Sequence, residues 1–299
     1  MKYAALIALA ICTSLQAAPP DPAPALFRDP PPDAALPASG HAEQITSHGE
    51  AMNAMVYVPA GAGPHPVVVL LHGFPGNEQN LDLAQAMRRA GWAVVTFHYR
   101  GSWGSAGTFS FDGAVEDGGA VFDWVREPAL AKRLHLDPQR VVVIGHSMGG
   151  YVAAQVCASR SPVRGCALIA PWDLSYDVRL VKDATVAERD RIAREQFDDI
   201  DGRIAGMTAR QVVDVLAKDG QRWRLAQAAP QIAKQPLLVV LAARDGDDCK
   251  ALELLPALKA EQAKALRVVT IDSDHGFNDH RIALESTVLA WLAALDKAK

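Results

Sequence analysis

Gly145-His146-Ser147-Met148-Gly149 sets a serine between two glycines, with Gly150 behind them. The run follows an apolar β-branched stretch, RVVVI at 140–144, and precedes a helical stretch at 148–159. A sharp strand-to-helix turn at that point holds the serine in a strained backbone conformation and lifts its hydroxyl clear of the sheet. Gly145 and Gly149 remove the Cβ atoms that would clash inside so tight a turn. The helix that follows directs its unpaired N–H groups at the same spot. Such an arrangement serves nucleophilic attack by Ser147 on a carbonyl carbon. A serine hydroxyl is a weak nucleophile alone and needs a base, itself oriented by an acid.

Both partners are present, in the chain order serine, acid, histidine. The apolar run at 237–243 ends at Arg244-Asp245-Gly246, and the run at 267–271 is followed by Asp274-His275-Gly276-Phe277. His275 is expected to take the Ser147 proton and return it to the leaving group. Asp245 is expected to fix the imidazole tautomer and stabilise its cation. Asp247 and Asp248 crowd Asp245, and Asp173 follows Pro171-Trp172, so these three are the alternative acids. A developing oxyanion needs two preorganised donors. The expected pair is the backbone N–H of Met148 and that of Phe74, in the loop His72-Gly73-Phe74-Pro75-Gly76. Gly73 and Gly76 permit close backbone approach there, and Pro75 has no N–H to offer.

These residues need a scaffold that brings three distant loops to one edge. Six short apolar runs, at 67–71, 93–97, 140–144, 167–170, 237–242 and 267–271, read as strands buried on both faces. Helical patterns at 80–90, 113–126, 148–159 and 281–295 fall between or after them. That alternation predicts an α/β fold with a mostly parallel sheet, and 44–46 with 52–58 predict an antiparallel opening pair. Residues 175–235 depart from the alternation, with 11 basic and 10 acidic side chains among 61 residues. Two capping boxes, Thr185 with Glu188 and Thr208 with Gln211, predict helix starts inside it. Ile192, Phe197, Ile200 and Ile204, then Val212, Val215 and Leu216, supply apolar stripes. The stretch is expected to be a helical cap laid over the sheet, since so charge-rich a segment makes a poor core of its own.

At this point the chain resembles the α/β-hydrolase fold family over about residues 44–295. The resemblance rests on HGFPG, GHSMGG, the strand end at Asp245 and DHGF. Phe97-His98-Tyr99-Arg100-Gly101, with Gly104-Ser105 and Gly107, resembles a segment bordering the active site in the dienelactone-hydrolase-like and prolyl-oligopeptidase-like branches. The resemblance implies a doubly wound, mostly parallel sheet carrying a helical cap. It implies a serine hydrolase that cleaves carboxylic esters through an acyl-enzyme, with short-peptide amides or thioesters as the alternative. A non-catalytic binding protein on the same scaffold is the contrasting expectation. Two departures stand out. Dienelactone hydrolases carry a cysteine nucleophile where this chain has Ser147, and there is no room for the propeller of the prolyl oligopeptidases.

Composition narrows the partners. Of 299 residues, 30 are Lys or Arg and 34 are Asp or Glu, for a net charge of −4. That balance lacks the basic footprint of a nucleic-acid binder, and a small-molecule ester or amide is the expected partner. No run reaches the length of a stable membrane span. Lys2, the apolar run 4–15 and small residues at Ala17 and Ala18 have the layout of an export signal over 1–17. Export would place the protein in the periplasm or medium. A Pro- and Ala-rich linker is expected over 18–40 and the hydrolase domain over 41–299. Cys157 and Cys166 flank a short loop, where a disulfide and two buried free thiols are both open. No Cys/His spacing suits a structural metal, and no cofactor is expected.

Overall fold

A computed structural model describes residues 24–297 of the chain. The expected signal over 1–17 and the first residues of the expected linker lie outside the described residues. The rest of the linker stretch rests on the body. Ala25 and Leu26 pack against the core, Arg89 Nε donates to the Ala25 carbonyl at 2.6 Å, and the first strand starts at Ser39.

The strands are β1 Ser39–Ser47, β2 Glu50–Val58, β3 His65–Leu71, β4 Ala93–Phe97, β5 Leu136–His146, β6 Gly165–Ile169, β7 Leu237–Ala242 and β8 Leu266–Ile271. They form one sheet in the order β1-β2-β4-β3-β5-β6-β7-β8. The opening pair β1–β2 and the junction β2–β4 are antiparallel, and every other pairing is parallel. Each of the six apolar runs is therefore a strand; five are covered on both faces, whereas the edge strand β8 buries Val269 and Ile271 and leaves Val268 exposed. Alternation along β3 shows the two layers. Val67, Val69 and Leu71 face one core, and Val68 and Leu70 face the other.

The helices are α1 Leu81–Arg89, α2 Phe111–Trp124, α3 Pro128–Arg133, α4 Met148–Ser159, α5 Leu174–Val181, α6 Val186–Gln196, α7 Ala209–Asp219, α8 Ala229–Ile232, α9 Leu254–Ala260 and α10 Arg281–Lys297. Residues of α1 and α10 fill one core with the even-numbered side of β3. Residues of α2, α4 and α9 fill the other. A disulfide joins Cys157 of α4 to Cys166 of β6, which leaves Cys249 as a buried free thiol among the described residues.

The charge-rich stretch forms α5 to α8. Both expected capping boxes are complete, with the threonine side chain and its Glu or Gln partner reciprocally bonded. The stripes point inward as read: Ile192, Phe197, Ile200, Ile204, Val212 and Leu216 are buried in the same core as the sheet face beneath them. Main-chain bonds join the cap to the loop after β4, from Trp103 N to Arg203 O at 2.8 Å and from Ala205 N to Gly101 O at 2.7 Å. Most of the charges stay outside, Asp177 of α5 being buried. Arg210 bridges Asp190 and Asp214 on the solvent side, an exposed network that adds little stability.

Candidate active site

Three loops meet at the carboxyl edge of the sheet. Ser147 stands between the end of β5 and the start of α4 with φ 58° and ψ −126°. That is the left-handed half of backbone space, which a residue with a Cβ occupies only under strain, at a cost of about 1–3 kcal/mol. The turn is fixed by its surroundings. The Ser147 N–H donates to the Ile169 carbonyl at 3.0 Å, and its carbonyl accepts from Gly150 at 2.8 Å and Trp172 at 2.9 Å. A Cβ on Gly145 would run into the Gly149 carbonyl, and one on Gly149 into the Leu71 carbonyl. Both flanking glycines are thus required by space.

His275 Nδ1 is 2.7 Å from Asp245 Oδ2. The carboxyl is nearly buried, at 8% exposure, while the imidazole is 40% exposed. An ionised Asp245 accepts from Nδ1–H, which leaves Nε2 as the free base position. Ser147, Asp245 and His275 line one pocket of about 200 Å³. The alternative acids are engaged elsewhere. Asp247 pairs with Lys250, and Asp173 caps the start of α5 through Ser175. Asp248 lines the pocket, where its carboxyl meets the Cys249 thiol rather than an imidazole.

The loop after β3 closes over the serine. A Cβ on Gly73 would stand 2.9 Å from Ser147 Cβ, so only glycine lets this backbone approach so closely. Gly76 has φ +103° and backs onto the His72 ring. Among the described residues the N–H groups of Phe74 and Met148 have no turn, loop or cap hydrogen-bond partner; Met148 follows Ser147 in the chain and Phe74 lines the same pocket as Ser147. Three donors brace this loop. Tyr99 Oη donates to the His72 carbonyl at 3.1 Å, Trp103 Nε1 to the Pro75 carbonyl at 2.8 Å, and His72 Nδ1 to the Gly73 carbonyl at 2.7 Å. Burial holds the His72 imidazole neutral, with its pKa lowered to about 3. Beneath Tyr99, Arg100 holds the buried Asp117 carboxylate at 2.5 Å and also reaches Glu116 at 2.6 Å.

Sequence reasoning missed two supports of the site. His146 occupies the variable position of the serine motif. Its Nε2 donates to the His275 carbonyl at 2.8 Å, and the two rings lie 4.8 Å apart. Burial, then the nearby His275, lowers its pKa to about 4, so it is a neutral strut for the loop that carries His275. The other is Asp177 of α5, which lines the pocket beside Asp248 and accepts from Trp172 Nε1 at 2.8 Å. Burial first, and then the Asp248 charge, raises the Asp177 pKa to about 7. The serine motif leaves the identity of residue 146 open, and no motif marks Asp177, which only the fold brings to the site.

Asp245, Cys249 and His275 present potential metal-ligand atoms within 4.8 Å of one another, the one such group among the described residues. Two of them already share a hydrogen bond. Burial and the surrounding carboxylates push the Cys249 thiol well above its usual range, so the donor set fits an acid–base pair beside a neutral thiol.

The family model for the alpha/beta hydrolase fold matches residues 66–203, from β3 through the serine turn into the cap. The chain has the α/β-hydrolase fold. Solved hydrolases superpose over nearly all of it. Est1E from Butyrivibrio proteoclasticus aligns with a TM-score of 0.65 at 18% identity, covering 86% of this chain and 100% of that one. The 2,6-dihydroxy-pseudo-oxynicotine hydrolase aligns with a TM-score of 0.63 at 19% identity, covering 87% and 68%. In sequence, the lysophosphatidylserine lipase ABHD12 of Rattus norvegicus is 32% identical over 125 residues, 40% of this chain and 30% of the relative. The chain therefore spans about a third of the length of that relative. Among the described residues no helix of this α/β-hydrolase fold is long and apolar enough to cross a membrane.

Proposed function

We propose that the protein is a serine hydrolase that cleaves carboxylic esters through an acyl-enzyme at Ser147. One observation carries this reading: a strained serine at the head of α4 shares a small pocket with a histidine whose far nitrogen is held by a near-buried aspartate. His275 Nε2 takes the hydroxyl proton as Ser147 Oγ attacks the carbonyl carbon. Asp245 keeps Nδ1 protonated and stabilises the imidazolium. The Phe74 and Met148 amides face the oxygen on which negative charge develops. The same imidazolium then protonates the departing alcohol. Water, deprotonated by His275, releases the acid and restores the serine. The lipase and esterase names of similar proteins agree with an ester substrate.

The export of the protein to the periplasm or medium belongs to the same proposal. The leader-like pattern over 1–17 suggests it, and a disulfide between Cys157 and Cys166 suits an oxidising compartment.

The test is a series of p-nitrophenyl esters of rising chain length, run beside aminoacyl p-nitroanilides. Short esters are expected to be hydrolysed, with activity lost in Ser147→Ala and in His275→Ala. Turnover of the anilides alone would replace the ester reading with an amidase. Ester turnover unchanged in Ser147→Ala would remove the nucleophile.

A further inference from the structure

The pocket at Ser147 is lined by two kinds of surface. Phe74, Trp172 and Phe197 form aromatic walls, and Asp177 and Asp248 add carboxyls besides the Asp245 that serves His275. Among the described residues no Lys or Arg lines it. The cations nearby are committed elsewhere: Arg179 and Arg224 both pair with Glu253, at 3.2 Å and 2.7 Å, and Lys250 pairs with Asp247 at 3.2 Å. Asp177 receives only the Trp172 N–H on one oxygen, and Asp248 only the Cys249 thiol. Neither has an ion pair among the described residues, although Asp177 is only 9% exposed.

An aromatic face attracts a cation through its quadrupole, and a desolvated carboxylate attracts it more strongly. Two facing carboxyls with no protein counter-ion disfavour one another in the empty pocket, and a bound positive charge relieves that repulsion. The volume, about 200 Å³, is small beside the roughly 300–1,000 Å³ of pockets for drug-sized ligands. It suits a short acyl or alcohol group. We infer that this pocket selects substrates carrying a cationic nitrogen, seated between the Trp172 and Phe197 rings and the carboxyls of Asp177 and Asp248. The inference rests on the reading of Ser147 as the nucleophile for what happens next, but the selection itself is a binding property.

It is therefore tested by binding, on the Ser147→Ala protein, so that turnover does not enter. The probes are two matched pairs. One is the amide of γ-trimethylammonio-butyric acid against the isostere in which carbon replaces the nitrogen; the other is choline against its carbon isostere. Calorimetry is expected to show the cation bound about tenfold tighter, or more, in at least one pair. With Asp177→Asn and Asp248→Asn together, that ratio is expected to fall to about one while the neutral member binds as before. Thermal unfolding of each variant confirms that it is folded. Equal binding within both pairs, no detectable binding of any probe, or a preference that survives both Asn substitutions overturns the inference. Active-site labelling at Ser147 is independent of all these outcomes, so failure of the cation pocket and failure of the nucleophile are told apart.

Discussion

Two walls of one pocket treat their carboxylates in opposite ways. On the sheet-edge wall Asp245 is nearly buried and bonded to His275, in a loop that His146 in turn supports. On the cap-side wall Asp177 and Asp248 face the same space with a Trp N–H and a thiol as their hydrogen-bond partners and, among the described residues, no cation. A buried carboxylate without a charged partner is costly, and burial shifts the pKa of such a group upward. Asp177 shows that shift, whereas Asp245 has the His275 imidazole as its hydrogen-bond partner. The contrast teaches that the first wall is complete before any ligand arrives, whereas the second is complete only when something positive is bound.

The largest expected effect separates the two walls by chemistry. Asp245→Asn should lower kcat on a neutral p-nitrophenyl ester by about 10³–10⁴-fold, because the amide no longer selects the productive tautomer. Asp248→Asn should change that rate by less than about threefold, since its carboxyl touches no reacting atom. Equal losses in the two variants would erase the distinction between the walls.

The next effect is on stability and has a definite sign. Asp177 has a folded-state pKa of about 7, above the ordinary carboxyl value of 3.8. The folded protein therefore binds a proton that the unfolded chain releases, and this group's contribution falls as pH rises from about 4 through about 7. Asp177→Asn should gain stability over the parent across that window, by on the order of 3 kcal/mol between pH 4 and pH 8. Parallel thermal unfolding of the two proteins across pH checks it, and a gain that does not grow with pH contradicts the assignment.

A smaller effect probes the brace of the sheet-edge wall. Tyr99→Phe strips a hydrogen bond from the buried His72 carbonyl at the head of the oxyanion loop. A donor displaced from the developing oxyanion should lower kcat by about tenfold with little change in KM. A change in KM alone would mean that Tyr99 shapes the pocket rather than the donors.

The sheet was legible because its parallel strands are short, β-branched and apolar on both faces, which leaves few alternatives. Strand β5 starts earlier than its apolar run, at the buried Leu136, since that residue pairs with His65 at the start of β3 ahead of a register shift. The meeting of Asp245 with His275, and of the 72–76 loop with Ser147, was legible from turn chemistry: glycine where Cβ atoms would collide, and acid and histidine in the loops after strands. Helices α3, α5, α8 and α9 carry little signal in the sequence, being short, with a proline in α3, α8 and α9. The cap wall was illegible for a different reason. Asp177 lies in a charge-rich stretch and Asp248 reads only as an alternative acid to Asp245; they stand far apart in the chain, and only folding of α5 against the loop after β7 makes them neighbours.

The central claim is that Ser147 is the nucleophile, and fluorophosphonate labelling followed by peptide mapping tests it most directly. The account predicts one phosphonyl group on the peptide containing Ser147, labelling that is slowed in Asp245→Asn, and none in Ser147→Ala. A label on another residue, or labelling that persists in Ser147→Ala, would contradict it.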